Sequence, residues 1–481
     1  MTLTQSVARN FVVQIIGRFL ALILGLFVVG LLMRYLGLKN YGYYSTAFAF
    51  LQVFGIIADF GLYLITLRYL GEADILEEEE KIKKEKKVMD NIFTFRFFSA
   101  LIFYGGSCVL GLFFPYPPIV KTAIVILAGS LFLCTLIQTL SAFYQKILET
   151  EKIFLGEVLG KGVTLFLMIL FVKMKLGFYP VLSVFALGYL VNFLILFFVA
   201  QKKILLEFSF DFEFWKKIIK DSWPIGLAII FNVVYFKGNT LVMSFYRSAE
   251  EVGLFGGCYR VLEILITVPP LLLGLITPLL AKSWRNKETE YFKNLVQKTF
   301  DVLLIIVLPI VFGTFIVGEK IMVLLGGVEF ILAGQILKIV IIATGILFVA
   351  ELFKNLAVSL GKQRQILPFY FLTAVLSLIA CFIFIPRYSY WAAAWITVFS
   401  EGLMLVFVFC LFWQTTKITP NLKIFFKSFF SGLIMFCVLM FFKDFNLFFL
   451  IIFGALIYSG CLYLFKGINK SLLKEIIKIK Q

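Results

Sequence analysis

Fourteen stretches of this chain each run for about twenty residues with almost no charge, and that pattern decides what it can fold into. They lie at roughly 11–33, 43–67, 92–114, 119–144, 153–172, 178–200, 223–246, 253–281, 299–317, 335–360, 366–385, 389–413, 424–442 and 445–465. A helix apolar all round must be surrounded by protein or lipid. Each stretch is therefore predicted to cross a bilayer. The chain is 61% hydrophobic, against roughly 45–50% in soluble domains, so too little polar sequence remains to coat a water-soluble surface. The first run, Phe11 to Met33, is too long for a signal-peptide core and lacks a cleavage motif, so it counts as a span.

The net charge of +17 would suit nucleic acid, but its placement points to the membrane. With the N-terminus inside, the inner segments carry 30 Lys and Arg and the outer loops 9. That bias predicts both termini in the cytoplasm of a plasma-membrane protein, its loops attracted to anionic inner-leaflet lipid. The charged run Glu72–Asp90 is expected as a solvated helical extension of span 2. The sequence has no His, which removes His general bases, Ser–His and Cys–His pairs and His-based metal sites. The seven cysteines sit inside apolar runs without a CxxC motif and read as packing residues. No catalytic residue, metal or cofactor is predicted, and the short outer loops leave no room for a catalytic domain.

The chain repeats itself. LLMRYLGLKNYGYY (Leu31–Tyr44) joins spans 1 and 2, and LVMSFYRSAEEVGLF (Leu241–Phe255) joins spans 7 and 8. Met33 and Met243 are 210 apart, and Gly42 and Gly253 are 211 apart. LETEK (Leu148–Lys152) likewise precedes SLGKQ (Ser359–Gln363) by 211 residues. This offset equals six spans, an even number, so both halves keep one orientation: a parallel repeat about an axis along the membrane normal. The predicted fold is all-α. Residues 1–201 form one six-helix lobe, 223–413 a second related by the pseudo-two-fold repeat, and 414–481 hold spans 13 and 14 with a basic cytoplasmic tail. Between the lobes, 202–222 is expected as a linker helix at the inner interface, with Phe208, Phe210, Phe212, Phe214 and Trp215 among charges. Two lobes around a cleft suit alternating access.

The run RYLGLKNYGYYSTAFAFLQVFGIIADFGLYLITLR (Arg34–Arg68) resembles the N-terminal signature of the polysaccharide, or oligosaccharide-lipid, flippases. These belong to a superfamily with the multidrug and toxin extruders and the lipid II flippases. FKGNTLVMSFYRSAEEVGLFGGCYRVLE (Phe236–Glu263) resembles that family's segment around spans 7 and 8, and LLGGVEFILAGQIL (Leu324–Leu337) its amphipathic segment before span 10. The resemblance covers most of spans 1–12. It implies a flippase that moves an oligosaccharide on a polyprenyl pyrophosphate from the inner to the outer leaflet, for cell-surface polysaccharide synthesis; a monomer is expected. Many members carry an acid where this chain has Asn239, so any coupling role of that acid is absent here or moved elsewhere.

A charge in a span costs at least about 2.5–3.5 kcal/mol at the helix centre and marks function by default. Six cations lie within spans: Arg18, Lys161, Lys237, Arg260, Lys338 and Lys354. Lys161, Arg260 and Lys354 have an acid one turn away, at Glu157, Glu263 and Glu351, and such pairs neutralise each other. Lys338 lies near a span end and can snorkel. Arg18 and Lys237 have no acid one turn away along the chain, and they occupy the corresponding first helices of the two halves. Arg18 continues a polar stripe with Asn10 and Gln14. Measured from Met33 and Met243, Arg18 and Lys237 differ in depth by nine residues, roughly 13 Å at about 1.5 Å per residue. A cationic ladder of this kind suits a pyrophosphate, with Arg offering a fork for phosphate oxygens. The predicted substrate contacts are Arg18, Lys237, Gln14, Asn10, Asn239 and Arg260. Asp59 and Glu263 are the cavity acids, Asp59 either coupling transport to a proton or sodium gradient or holding a cation in place.

Three other readings compete. A lipid II flippase differs only in the substrate carried. A multidrug or organic-cation extruder needs an acidic cavity, whereas the locally unpartnered span charges here are basic. A membrane-embedded glycosyltransferase or polymerase needs a long outer loop or a clustered acid motif, and neither is present.

Overall fold

A computed structural model describes residues 3–467, with side chains from residue 17 onward apart from 19 and 56. Every regular element among these residues is helical. The first half runs α1 (Leu3–Asp59), α2 (Leu62–Gly71), α3 (Glu78–Phe113), α4 (Pro118–Lys146), α5 (Thr150–Lys173), α6 (Phe178–Gln201) and α7 (Phe212–Tyr246). It continues with α8 (Ala249–Leu265), α9 (Val268–Arg285), α10 (Thr289–Gly326), α11 (Ile331–Ser359), α12 (Gln363–Thr416), α13 (Lys423–Phe441) and α14 (Leu447–Leu464).

Among the described residues, twelve helical segments are long and apolar enough to cross a membrane, and two of these, Leu20–Ile75 and Gln363–Thr416, run for 56 and 54 residues. A crossing needs about 20, so each of the two holds a pair. The break within each pair is one residue with positive φ: Gly37 at 67° and Ser389 at 51°. Contacts show that the chain reverses at Gly37. Before it, α1 runs with α5, Gly17 lying on Phe154 and Gly25 near the Lys161 ammonium. After it, α1 runs against α3, Phe50 packing on Phe114, Gly55 on Tyr104 and Asp59 on Arg96. Since α4 returns between α3 and α5, those two are parallel and the arms of α1 are opposed. The arms of α12 meet likewise, Phe369 stacking on Phe407 at 5.1 Å across the Ser389 bend. The fourteen predicted crossings are thereby accommodated.

The chain divides into two compact units, Met1–Gly253 and Leu254–Gln481. The sequence repeat puts α7 at the start of the second half, but in the structure it packs on α1, α2 and α3 within the first unit. Its buried residues include Tyr235, Lys237, Asn239 and Met243. The repeat itself is visible in the helices: α3 and α10 begin 211 residues apart, and α4 and α11, both 29 residues long, begin 213 apart. One contact within the first unit reads alike from both sides. A methyl on Gly42 would lie 1.7 Å from the Ala249 carbonyl oxygen, and one on Gly253 would lie 2.3 Å from that of Leu38. Gly42 and Gly253 are equivalents, as are Leu38 and Ala249. Only glycine permits the approach, as small residues do where membrane helices cross closely. In the second unit α13 and α14 pack on α10 through Val317, Met435, Leu439, Leu450 and Tyr458.

The expected linker helix begins only at Phe212; residues 205–211 form neither helix nor turn, and Asp211 is extended. The aromatic residues at 208, 210 and 212 alternate with a period of two, which belongs to extended chain. The backbone amides of this strap are bound by α3 side chains. Glu207 N–H donates to Asp90 Oδ1 at 3.0 Å, Ser209 N–H to Thr94 Oγ1 at 2.9 Å and Asp211 N–H to Asn91 Oδ1 at 3.0 Å. Asp211 then caps α7, accepting from Phe214 N–H at 3.0 Å. A second strap, residues 417–422, is held in the same manner. Gln297 on α10 accepts from Asn421 N–H at 2.7 Å and donates to the Asn421 carbonyl at 2.9 Å and to Asp301 at 2.9 Å. Asp90 and Asp301 are 211 residues apart.

The charged run also differs from the expected extension of span 2. After α2 ends at Gly71, a short turn leads to Glu78, and the rest of the run forms the first turns of α3. Glu78, Glu79 and Glu80 occupy its first turn, where the helix dipole favours acids. Asp74 ties the run down, 3.1 Å from Lys81 and 3.2 Å from Lys146.

Candidate substrate site in the membrane spans

In the first unit, polar side chains from six helices, α1 to α6, converge. The α1 helix ends at Asp59 because Phe60 and Gly61 take positive φ, 41° and 77°, and start the turn into α2. The Asp59 carboxylate accepts from Nη2 of Arg96 on α3. Arg96 is fully buried, and its Nη2 also donates to Gln138 Oε1 on α4 at 3.0 Å. Its Nε and Nη1 are buried without a hydrogen-bond acceptor among the described residues. Cys134, one turn before Gln138, lies within electrostatic reach of Arg96, Glu157 and Asp59 and close to the Tyr189 hydroxyl. On α5, Glu157 pairs with Lys161 at 2.8 Å, and that ammonium also donates to the Ala21 carbonyl on α1 at 3.1 Å. Arg18, one turn before Ala21, is half-buried and within electrostatic reach of Tyr63, whose hydroxyl donates to Gln145.

The second unit carries a patch at corresponding points. Lys354 pairs with Glu351 at 2.9 Å and lies 5.9 Å from the Tyr370 ring centroid. Glu351, Lys354 and Glu401 all act on Tyr370. Gln138 and Glu351 are 213 residues apart, as are Glu157 and Tyr370, and Tyr189 and Glu401 are 212 apart. The two halves thus carry unlike polar groups at equivalent positions of the sequence repeat.

Each predicted residue can now be located. Arg18 and Asp59 lie on opposite arms of α1. Lys237 and Asn239 are buried on α7, Lys237 5.8 Å from the Phe236 ring centroid. Arg260 pairs with Glu263 at 2.6 Å on α8. The side chains of Asn10 and Gln14 lie outside the described residues. Lys338 meets Glu319 on α10 at 2.8 Å, where only snorkelling was expected. Arg96, counted above with the inner loops, is a span cation, which makes the charge bias 29 to 9. Its position inside the apolar run 92–114 was the available signal; the lysines just before it made it read as loop. Gln138 and Tyr370 lacked any signal of their own.

Comparison with known proteins settles the family. The polysaccharide biosynthesis protein family matches residues 7–284, more than half of the chain, and the MatE family matches residues 224–383. The chain belongs to the polysaccharide biosynthesis protein family. A search among curated proteins found no match. Solved structures similar to this family member include a lipid II flippase, MurJ, in an inward closed conformation. It is 16% identical, with a TM-score of 0.72, covering 96% of this chain and 99% of that one. An inward-facing multidrug resistance MATE family transporter is 15% identical, with a TM-score of 0.68, covering 82% and 94%. A MOP superfamily transporter from Pyrococcus furiosus Vc1, described as having a binding pocket of reversed polarity, is 14% identical. Its TM-score is 0.60, with coverage of 86% and 96%. The family member therefore has the two-lobed, all-helical fold of these transporters and is a multi-pass membrane protein.

Proposed function

We propose that this protein is a plasma-membrane flippase carrying a polyprenyl-pyrophosphate-linked oligosaccharide from the inner to the outer leaflet by alternating access. The observation that carries the reading is the state of Arg18. Arg96, Lys161, Arg260, Lys338 and Lys354 each have a carboxylate partner. Arg18 has none among the described residues, although it sits half-buried in a span. A cation kept in a span without an acid suits an anionic ligand, and its planar fork matches phosphate oxygens. Lys237, buried on the helix packed against α1, adds a second cation in the same unit. The tail of the substrate stays in lipid while the headgroup passes. A ligand drives the change of state only through different affinities for the two states.

A charge-assisted contact is worth about 1.5–3 kcal/mol. Arg18→Ala and Lys237→Ala should each weaken binding of the lipid-linked sugar by roughly 10- to 150-fold. Export should collapse at normal amounts of folded protein, and Arg18→Lys should recover it only in part. Unchanged export by Arg18→Ala would remove the reading. The fold likeness to a lipid II flippase favours a second reading, in which the cargo is a cell-wall precursor. Rescue of cells depleted of their own lipid II flippase separates the two.

A further inference from the structure

The surface around the first strap carries charge that the protein does not neutralise. Three of its acids are engaged. Asp211 lies 2.8 Å from Lys87, Glu207 3.2 Å from Lys86, and Asp221 accepts from the Tyr69 hydroxyl at 2.8 Å with Arg68 at 3.9 Å. Glu213 forms no ion pair among the described residues, and neither do the exposed Lys216 and Lys220. These two lysines are one turn apart, with Cβ atoms about 5–6 Å from each other. They share the exposed side of α7 with Phe212, Ile219 and Trp223, which are 71%, 45% and 49% exposed. An aromatic band continues from this side along the strap. Phe212 touches Trp215, Trp215 touches Phe210, and Phe98 touches both Phe210 and Phe208.

Such a face suits neither bulk water nor hydrocarbon. Large rings need apolar surroundings, while ammonium groups need water or an anion, and the headgroup layer offers both within a few ångströms. We infer that this face binds anionic phospholipid, with Lys216 and Lys220 on the phosphate oxygens and the rings of Phe210, Phe212 and Trp223 against the glycerol and first acyl carbons. The charge accounting favours lipid phosphate. Asp211, Glu207 and Asp221 are held by other partners, and Glu213 offsets one charge at most, so Lys216, Lys217 and Lys220 together leave this turn net positive beside the aromatic band. The site is separate from the span cations proposed to hold the substrate, and it stands whether or not that proposal does.

The test uses the full-length protein purified in detergent and supplied with equal amounts of phosphatidylglycerol and phosphatidylcholine, with retained lipid read by native mass spectrometry. The wild type should retain phosphatidylglycerol preferentially. The double variant Lys216→Gln/Lys220→Gln should lower that preference by roughly 10- to 30-fold, and Lys216→Arg/Lys220→Arg should keep it. Should the double Gln variant not be recovered folded, each single variant carries the test with a roughly 3- to 5-fold step. In the wild type, raising salt to about 1 M, where the Debye length is about 3 Å, should erase most of the preference. A preference that survives neutralisation of both lysines overturns the inference. A parallel loss of both lipids overturns it too, since that reports a lost hydrocarbon contact without recognition of charge.

Discussion

Arg96 and Asp59 stand 37 positions apart on different helices, and their meeting shows where sequence reading of single residues stops. The pairs Glu157–Lys161, Glu351–Lys354 and Arg260–Glu263 were legible because helical geometry brings residues three or four apart onto one face. Asp59 stood out as a lone acid in an apolar span, but its partner depends on how α1 and α3 pack, which periodicity does not encode. Removing one member of a buried pair strands the other, at a cost of about 3–5 kcal/mol. Asp59→Asn should therefore lower the thermal midpoint in detergent markedly, and Asp59→Asn combined with Arg96→Met should restore most of it. A single variant as stable as wild type would show that Arg96 draws its compensation elsewhere. The same variants examine coupling: if Asp59 links transport to a proton or sodium gradient, the double variant should fold yet transport without responding to an imposed gradient.

Among the elements, the straps were the least legible. The aromatic alternation at 208, 210 and 212 marked the segment for the interface, but a chain without a sheet to join gives no reason to expect extended backbone. What makes it tolerable is that Asp90, Asn91 and Thr94 take up its amides, and nothing in their spacing announces that role. Asp211 finishes the first strap and starts α7. The Lys87 ammonium, and after it the Phe214 amide, hold its carboxyl below the ordinary carboxylate value. A carboxyl depressed in the folded state stabilises above its unfolded pKa of about 3.9, and that contribution fades as pH falls through the lower folded value. Asp211→Asn should thus lower the thermal midpoint by a constant amount between about pH 7 and pH 5, and the gap from wild type should close below about pH 4. A gap that shrinks already at pH 6 would point to another titrating group.

At the scale of the whole molecule, hydropathy was an almost complete guide. A lipid-facing helix has to be apolar along its full length, so length and composition alone mark each crossing. The offset of 211 was visible because glycines at close crossings leave no choice of side chain, as at Gly42 and Gly253. Helix packing was less visible: α7 opens the second repeat in sequence yet lies in the first packing unit. The charge bias of 29 to 9 argues for cytoplasmic termini, and a reporter active only in the cytoplasm, fused after Gln481, should be active. An inactive fusion expressed in full would reverse the topology. The straps also bear on how the protein is made. Residues 207–211 bind residues 90–94, and Asn421 binds Gln297, each time more than a hundred positions upstream. The first set of bonds cannot form until six crossings have been threaded into the bilayer and its strap has left the ribosome, and the second not until twelve have. The polypeptide thus has two latches, each closing onto a helix inserted well before the latch itself existed.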